Sequence, residues 1–258
     1  MRYDKATILC FSPTRTSATV AEAVVRGMEC GAEWADLTYP GIGTVDVHGA
    51  AVIAVPVYGG RVAETAAERL RQVKGNGSPA VLVVLYGNRD YEDALLELRD
   101  LAVEQGFVPV AGGAFIGEHS YSRPPERPIA AGRPDTADLA VAEAFGRQVA
   151  EKLARYASPE RLPALSVKGN FPYKEKKRPT PAAPVTVEEL CTQCGTCIDL
   201  CPVDAIALKG EIVSDAALCI KCCACVKFCP SQARRFDTPY TDMLFRNFSA
   251  RREPECFL

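Results

Sequence analysis

The stretch Ala6-Thr-Ile-Leu-Cys-Phe11, Ser12-Pro-Thr-Arg-Thr-Ser17, Ala18-Thr-Val-Ala-Glu-Ala-Val-Val-Arg-Gly-Met28 reads as strand, loop and helix in that order. An apolar run of strand length ends in a hydroxyl-rich turn, and beyond it the apolar residues recur at helical spacing. Such a junction can hold an anion: loop N–H groups and the helix N-terminus converge, and serine and threonine hydroxyls add donors. Serine and threonine also cap helices routinely, so the loop alone does not identify a ligand. Similar strands are predicted at about 32–37, 50–55, 79–86 and 108–116, with helices between them. Five strands alternating with helices imply an α/β fold with a parallel, doubly wound sheet in the order 2-1-3-4-5.

Ligands of such sheets bind at the C-terminal ends of the strands. Pro56-Val57-Tyr58-Gly59-Gly60-Arg61 follows the third strand; Gly59 and Gly60 allow backbone to approach a flat ring, and Tyr58 can stack on it. Tyr86-Gly87-Asn88-Arg89-Asp90-Tyr91 closes the fourth strand, and Gly117-Glu-His-Ser-Tyr-Ser122 brings His119 to the same edge after the fifth. Ordinary packing competes for each tyrosine, and a local hydrogen bond is the expected role of a lone loop histidine.

This half of the chain resembles flavodoxin. That family's phosphate loop is Ser/Thr-x-Thr-Gly-x-Thr/Ser; Ser12, Thr14 and Ser17 match its hydroxyls, Thr16 adds another, and Arg15 stands in the place of the glycine. The resemblance implies FMN, with its phosphate at Ser12, Thr14, Arg15, Thr16 and Ser17. It implies a flavin ring held by residues 56–61 and by Gly87, Asn88 and Arg89, with Tyr91 in the ring-stacking place, Tyr86 its competitor and His119 nearby. The segments between the loops leave no adenine-binding domain, so FMN is expected over FAD.

Farther along, two cysteine runs share one rhythm. Cys191-Thr-Gln-Cys194-Gly-Thr-Cys197-Ile-Asp-Leu-Cys201-Pro202 is followed by Cys219-Ile-Lys-Cys222-Cys223-Ala-Cys225-Val-Lys-Phe-Cys229-Pro230. The spacing suits cubane iron–sulfur clusters, in which three thiolates on a tight loop grip three irons and a distant cysteine takes the fourth. A structural zinc site prefers two separated pairs. A disulfide framework belongs to secreted chains, whereas Met1-Arg-Tyr-Asp-Lys-Ala6 leads straight into a strand with no signal-peptide pattern. Cys223 has no slot in the pattern and is expected to be a small buried residue or a spare thiol; Cys10 and Cys30 are expected in the core.

This portion resembles the bacterial two-cluster ferredoxins, whose fourth cysteine serves the other cluster. Carried over, the resemblance implies one cluster on Cys191, Cys194, Cys197 and Cys229 and another on Cys219, Cys222, Cys225 and Cys201.

Composition agrees with a globular protein. The chain has 258 residues, 48% of them hydrophobic, and a formal net charge of −2, which does not invite nucleic acid. Its apolar runs, such as Pro79-Ala-Val-Leu-Val-Val-Leu-Tyr86, are too short to span a bilayer, and its cysteine usage fits a reducing cytoplasm. Residues 158–186 are rich in Pro, Lys and Arg and read as a linker. Within it Lys174-Glu-Lys-Lys-Arg178 is expected to be a solvated loop, with docking against an anionic cofactor as the alternative. Pro163, Pro172, Pro179, Pro181 and Pro184 should stiffen the connection.

The whole pattern resembles the flavodoxin–ferredoxin fusions of anaerobic bacteria and archaea. It implies an FMN domain at 1–157, the linker, a small α+β ferredoxin domain at 187–237 and an unassigned extension at 238–258. The expected function is electron transfer between two 4Fe-4S clusters and FMN for a redox partner protein, with homo-oligomerisation left open. The alternative is an FMN-dependent reductase fed by the clusters, with Tyr58, Arg61, Arg89 and His119 around an anionic small molecule. A ferredoxin joined to a flavodoxin-like fold without flavin is the third option, resting on Arg15 alone.

Overall fold

A computed structural model describes residues 1–176 and 180–258. Residues 177–179 lie outside the described residues, so Lys177 and Arg178 of the basic run and Pro179 of the linker are not placed.

Five parallel strands form the central sheet: β1 (Lys5–Cys10), β2 (Gly31–Asp36), β3 (Ala50–Tyr58), β4 (Pro79–Tyr86) and β5 (Val108–Ile116). Their order is β2-β1-β3-β4-β5, the doubly wound order expected from the sequence. Both faces are covered, and so β4 reads as an unbroken apolar run and is buried along its whole length.

Helices α1 (Thr16–Gly27) and α4 (Thr136–Ala154) cover one face. Their Val20, Val24, Ala142 and Phe145 pack on Ile8, Val52 and Val83. Helices α2 (Glu64–Leu70) and α3 (Ala94–Glu104) cover the other, where Leu70, Leu95 and Leu98 meet Leu9, Ile53 and Leu82. The alternation of Ile8 and Leu9 between the two cores is the period of two that a strand imposes.

After α4 the chain returns over the first domain. Leu165 enters its core, Asn170 and Lys174 donate backbone N–H groups to Asp93 at 2.8 and 2.7 Å, and Tyr173 donates to Asp100. The cysteine-rich part is small. It contains α5 (Thr196–Asp199), the hairpin β6 (Ile206–Lys209) and β7 (Glu211–Ser214), and α6 (Ala224–Lys227). Val185–Thr186 pairs with Arg234–Arg235, closing that part on itself.

The last residues return to the first sheet. Helix α7 (Pro239–Asn247) leads to β8 (Glu255–Phe257), which adds an antiparallel strand to the edge at β5 through Glu255–Ala114, Cys256–Gly113 and Phe257–Gly112. Among the described residues no helix is long and apolar enough to cross a membrane.

Candidate functional site

The loop after β1 leads into the N-terminus of α1, a position where backbone N–H groups can meet an anion. Arg15 keeps a left-handed backbone, φ 65°, which glycine adopts without strain, so the substitution preserves the turn. Ser12 is tied down: its N–H donates to Thr38 Oγ1 at 2.9 Å and its Oγ accepts from Ala18 N at 3.1 Å. Thr14 and Thr16 are half-buried, whereas Ser17 is only 1% exposed and its Oγ has no partner among the described residues. A buried hydroxyl normally finds a partner, and a phosphate oxygen at this helix N-terminus would provide one.

The second loop is a hairpin. Val57 pairs with Val62 and Tyr58 with Arg61, with Gly59 and Gly60 at the turn at φ 64° and 84°. Two successive positive φ values are the requirement of the tight turn that suits a twisted hairpin. This extends β3 beyond the predicted 50–55 and sets Tyr58 half-buried at the edge, with open space above Gly59.

Arg61 does not point to a free anion site. Its Nε and Nη2 grip Glu97 at 2.8 Å each, Nη1 donates to the Lys174 carbonyl, and the guanidinium lies 4.7 Å over the Tyr173 ring. Arg89 pairs with Glu92 through Nη1 alone.

In the third loop Tyr86 and Tyr91 are both buried, with ring centroids 5.5 Å apart, and the Tyr91 hydroxyl donates to Glu255 at 3.0 Å. Tyr91, expected to stack on a ring, is buried beneath β8, while Tyr58 stays half-buried at the sheet edge. Asn88 is 1% exposed; its Nδ2 donates to the carbonyls of Phe248 and Ala250 at 2.6 and 2.7 Å, and its Oδ1 has no partner among the described residues. His119 packs on Gly87, where an added Cβ would meet its ring at 2.3 Å. Its Nδ1 accepts from Tyr121 N at 3.0 Å, the local hydrogen bond expected of it. Burial, then the Lys227 and Arg89 charges, lowers its pKa to about 4, so the ring is neutral near pH 7.

Each cysteine quartet surrounds a hollow. One is lined by Cys219, Cys222, Cys225 and Cys201, with Cys223 also on its wall; the other is lined by Cys191, Cys194, Cys197 and Cys229. Among the described residues no three Cys, His, Asp or Glu side chains close around a single ion. The two hollows repeat one design: Ala205 N donates to Cys201 Sγ at 3.2 Å, and Ala233 N donates to Cys229 Sγ at 3.3 Å. Backbone donors aimed at sulfur are one of the levers that tune a thiolate-held cluster. Burial pushes Cys222 up to about 12 and Cys225 up to about 11, a cost that a bound metal removes by taking the thiolate. Cys223 is buried with its Sγ facing the Lys221 carbonyl; Cys10 is in the core, while Cys30 is half-buried.

The 4Fe-4S binding domain family matches residues 184–207 and again residues 216–238. Both matches lie in the cysteine-rich part, beyond the doubly wound domain of order β2-β1-β3-β4-β5. No curated protein matches it. Among solved structures it is similar to rubredoxin oxygen:oxidoreductase of the anaerobe Desulfovibrio gigas, with 13% identity over 60% of this chain and a TM-score of 0.43. The chain spans 37% of that protein's length. A flavodoxin from Archaea is 16% identical over 58% of this chain and 99% of its own, with a TM-score of 0.38. The Streptococcus pneumoniae TIGR4 flavodoxin is 19% identical over 58% and 98%, with a TM-score of 0.40. The strand order, not these scores, carries the description of the first domain.

The two quartets differ in their surroundings. Ile220, between Cys219 and Cys222, packs against the core of the first domain, and Arg69 of α2 donates to the carbonyl of Pro202 beside Cys201. Lys227, two residues after Cys225, pairs with Glu118 at 2.7 Å. Burial, then the Cys222 and Cys223 thiols, pushes the Tyr58 hydroxyl well up. Tyr121, in the His119 loop, packs tilted against Phe236 with ring centroids 5.2 Å apart and takes a similar upward push from burial and then Cys223. Cys194 of the other quartet is exposed, and its neighbour Gln193 bonds within its own domain, to the Gly210 carbonyl. The inward quartet thus lies against the sheet edge that carries Tyr58. The interdomain residues Tyr121, Lys227 and Arg69 carried no signal of their own in the sequence, although Tyr121 stands in a loop whose position at the edge was legible.

Proposed function

We propose that the chain is an electron-transfer iron–sulfur flavoprotein that relays electrons between two 4Fe-4S clusters and FMN for a redox partner protein. When bound, the clusters supply one-electron and FMN two-electron chemistry. The observation that carries the reading is the docking of the inward quartet at the sheet edge: Ile220, between Cys219 and Cys222, packs on the core that Tyr58 borders, and Arg69 holds the Pro202 carbonyl beside Cys201. The residues that would hold FMN are Ser12, Thr14, Thr16 and Ser17 at the phosphate, and the Tyr58 hairpin with Gly87 and Asn88 at the ring. The orphaned Ser17 hydroxyl supports the first of these. The cluster ligands proposed are the two quartets that surround the hollows.

The division at 1–157, 158–186, 187–237 and 238–258 is part of the proposal, as is a reducing cytoplasm, which the twelve free cysteines suit. A reductase for an anionic small molecule would draw on Arg61 and Arg89, and both guanidiniums are already held by carboxylates. No observation favours that second reading.

The test is kinetic. In the reconstituted protein, reduction of FMN by a donor that feeds the clusters should proceed at a rate independent of protein concentration. A rate proportional to concentration would mean exchange between molecules and would refute an internal relay.

A further inference from the structure

Arg234 and Ile206 occupy the same position of the two cysteine repeats. Each follows the alanine whose N–H donates to the preceding cysteine sulfur, Ala205 to Cys201 and Ala233 to Cys229. Ile206, 7% exposed, is an apolar wall of the inward hollow. Arg234, 3% exposed, is a charged wall of the outward one.

The guanidinium is held by neutral oxygens. Nη1 donates to Thr186 Oγ1 at 2.6 Å, and Nη2 donates to the Pro184 carbonyl at 3.0 Å and to Ser214 Oγ. Nη2 also lies 4.0 Å from Cys225 Sγ of the inward quartet, and Nε is buried with no acceptor among the described residues. A cation enclosed in this way, with a donor left over, is costly unless an anion stands beside it. Groups around it that can become anionic include Cys225 of the inward quartet, 4.0 Å away, and the cysteines that share the outward hollow with it. Burial raises Cys197 and Cys225, and the Arg234 charge acts on both in the opposite direction.

We propose that Arg234 is the shared counter-cation of the two iron–sulfur sites and holds the reduction potentials of both upward. The proposal rests on the two-cluster reading above. Reducing either cluster adds one electron to a site already negative, and a fixed cation in a low-dielectric interior favours that reduced form. The chain substitutes charge for an isoleucine at one of two equivalent positions, and the packing of the small domain around Pro184, Thr186 and Ser214 accommodates it.

The experiment compares wild type with Arg234→Gln, Arg234→Ile and Arg234→Lys, all reconstituted anaerobically. Iron and sulfide are counted, and each protein is then titrated with dithionite, as the reductant, under EPR. Arg234→Gln keeps amide donors without the charge, so it carries the comparison if Arg234→Ile fails to assemble. Both clusters should shift to more negative potentials in Arg234→Gln and Arg234→Ile, while Arg234→Lys stays near wild type. Unchanged potentials in Arg234→Gln at full iron content overturn the proposal and leave the two-cluster reading intact. A shift confined to one cluster overturns the shared role. Absence of iron–sulfur signal from wild type overturns both the proposal and the reading beneath it.

Discussion

Gly195 and Cys223 occupy the same position of the two cysteine turns, and both have left-handed backbone, at φ 80° and φ 58°. Each precedes a short helix, α5 or α6, that carries the third cysteine of its run. The turn demands that conformation in both repeats, and the second meets it with a residue that pays about 1 kcal/mol for it. The left-handed turn accounts for Cys223 without a metal role, its Sγ facing the Lys221 carbonyl. Cys223→Gly should keep the full iron and sulfide content of wild type. Loss of one cluster in that variant would show that the thiol is a ligand after all.

Ser17 offers a buried hydroxyl with no partner at the start of α1. Ser17→Ala should weaken FMN binding by about 1–3 kcal/mol, because the acceptor it loses is charged. The half-buried Thr14 should behave similarly when replaced by alanine. Flavin fluorescence titration of the apoprotein measures both, and unchanged affinity in Ser17→Ala would move the phosphate elsewhere.

Asn88 ties the third loop to the tail through Phe248 and Ala250, and its own φ is 67°. Asn88→Gly loses the two hydrogen bonds but keeps the backbone comfortable, whereas Asn88→Ala loses both. Thermal unfolding should place Asn88→Ala about 1 kcal/mol below Asn88→Gly. Equal stability of the two would mean that the left-handed turn is not retained.

His119 carries a pH dependence with a defined sign. Its pKa is lowered from 6.5 to about 4 in the fold, first by burial and then by Lys227 and Arg89. The unfolded chain therefore binds the proton more readily, and stability is lost as pH falls through the window from 6.5 towards 4. Between about pH 7.5 and about pH 5.5, wild type should lose about 1 kcal/mol more than His119→Gln in denaturant unfolding. Parallel pH profiles for the two proteins would contradict the burial of a neutral imidazole.

Much of the first domain was legible because its strands are buried on both faces. Pro79–Tyr86 and Val108–Ile116 are continuous apolar runs, and their predicted limits coincide with β4 and β5. The end of β3 was not legible, since Pro56-Val57-Tyr58 reads as a loop until Gly59 and Gly60 are known to fold it back on Arg61–Val62. Strand β8 left still less trace. Glu255-Cys256-Phe257 is too short for a period, and it acquires strand character only from the edge of β5. That docking is what buries Tyr91. Spacing marked the eight cysteines within the two runs, but periodicity could not single out Arg234, whose significance lies in the isoleucine at the matching position.

Iron, acid-labile sulfide and flavin counts on the anaerobically reconstituted chain test the iron–sulfur flavoprotein reading most directly. Wild type should hold about eight irons, about eight sulfides and about one FMN released on denaturation, and Cys201→Ser should lose the cluster of Cys219, Cys222 and Cys225 while keeping the other. About four irons, stoichiometric zinc, FAD, no flavin in excess FMN, or loss of the opposite cluster in Cys201→Ser would contradict it.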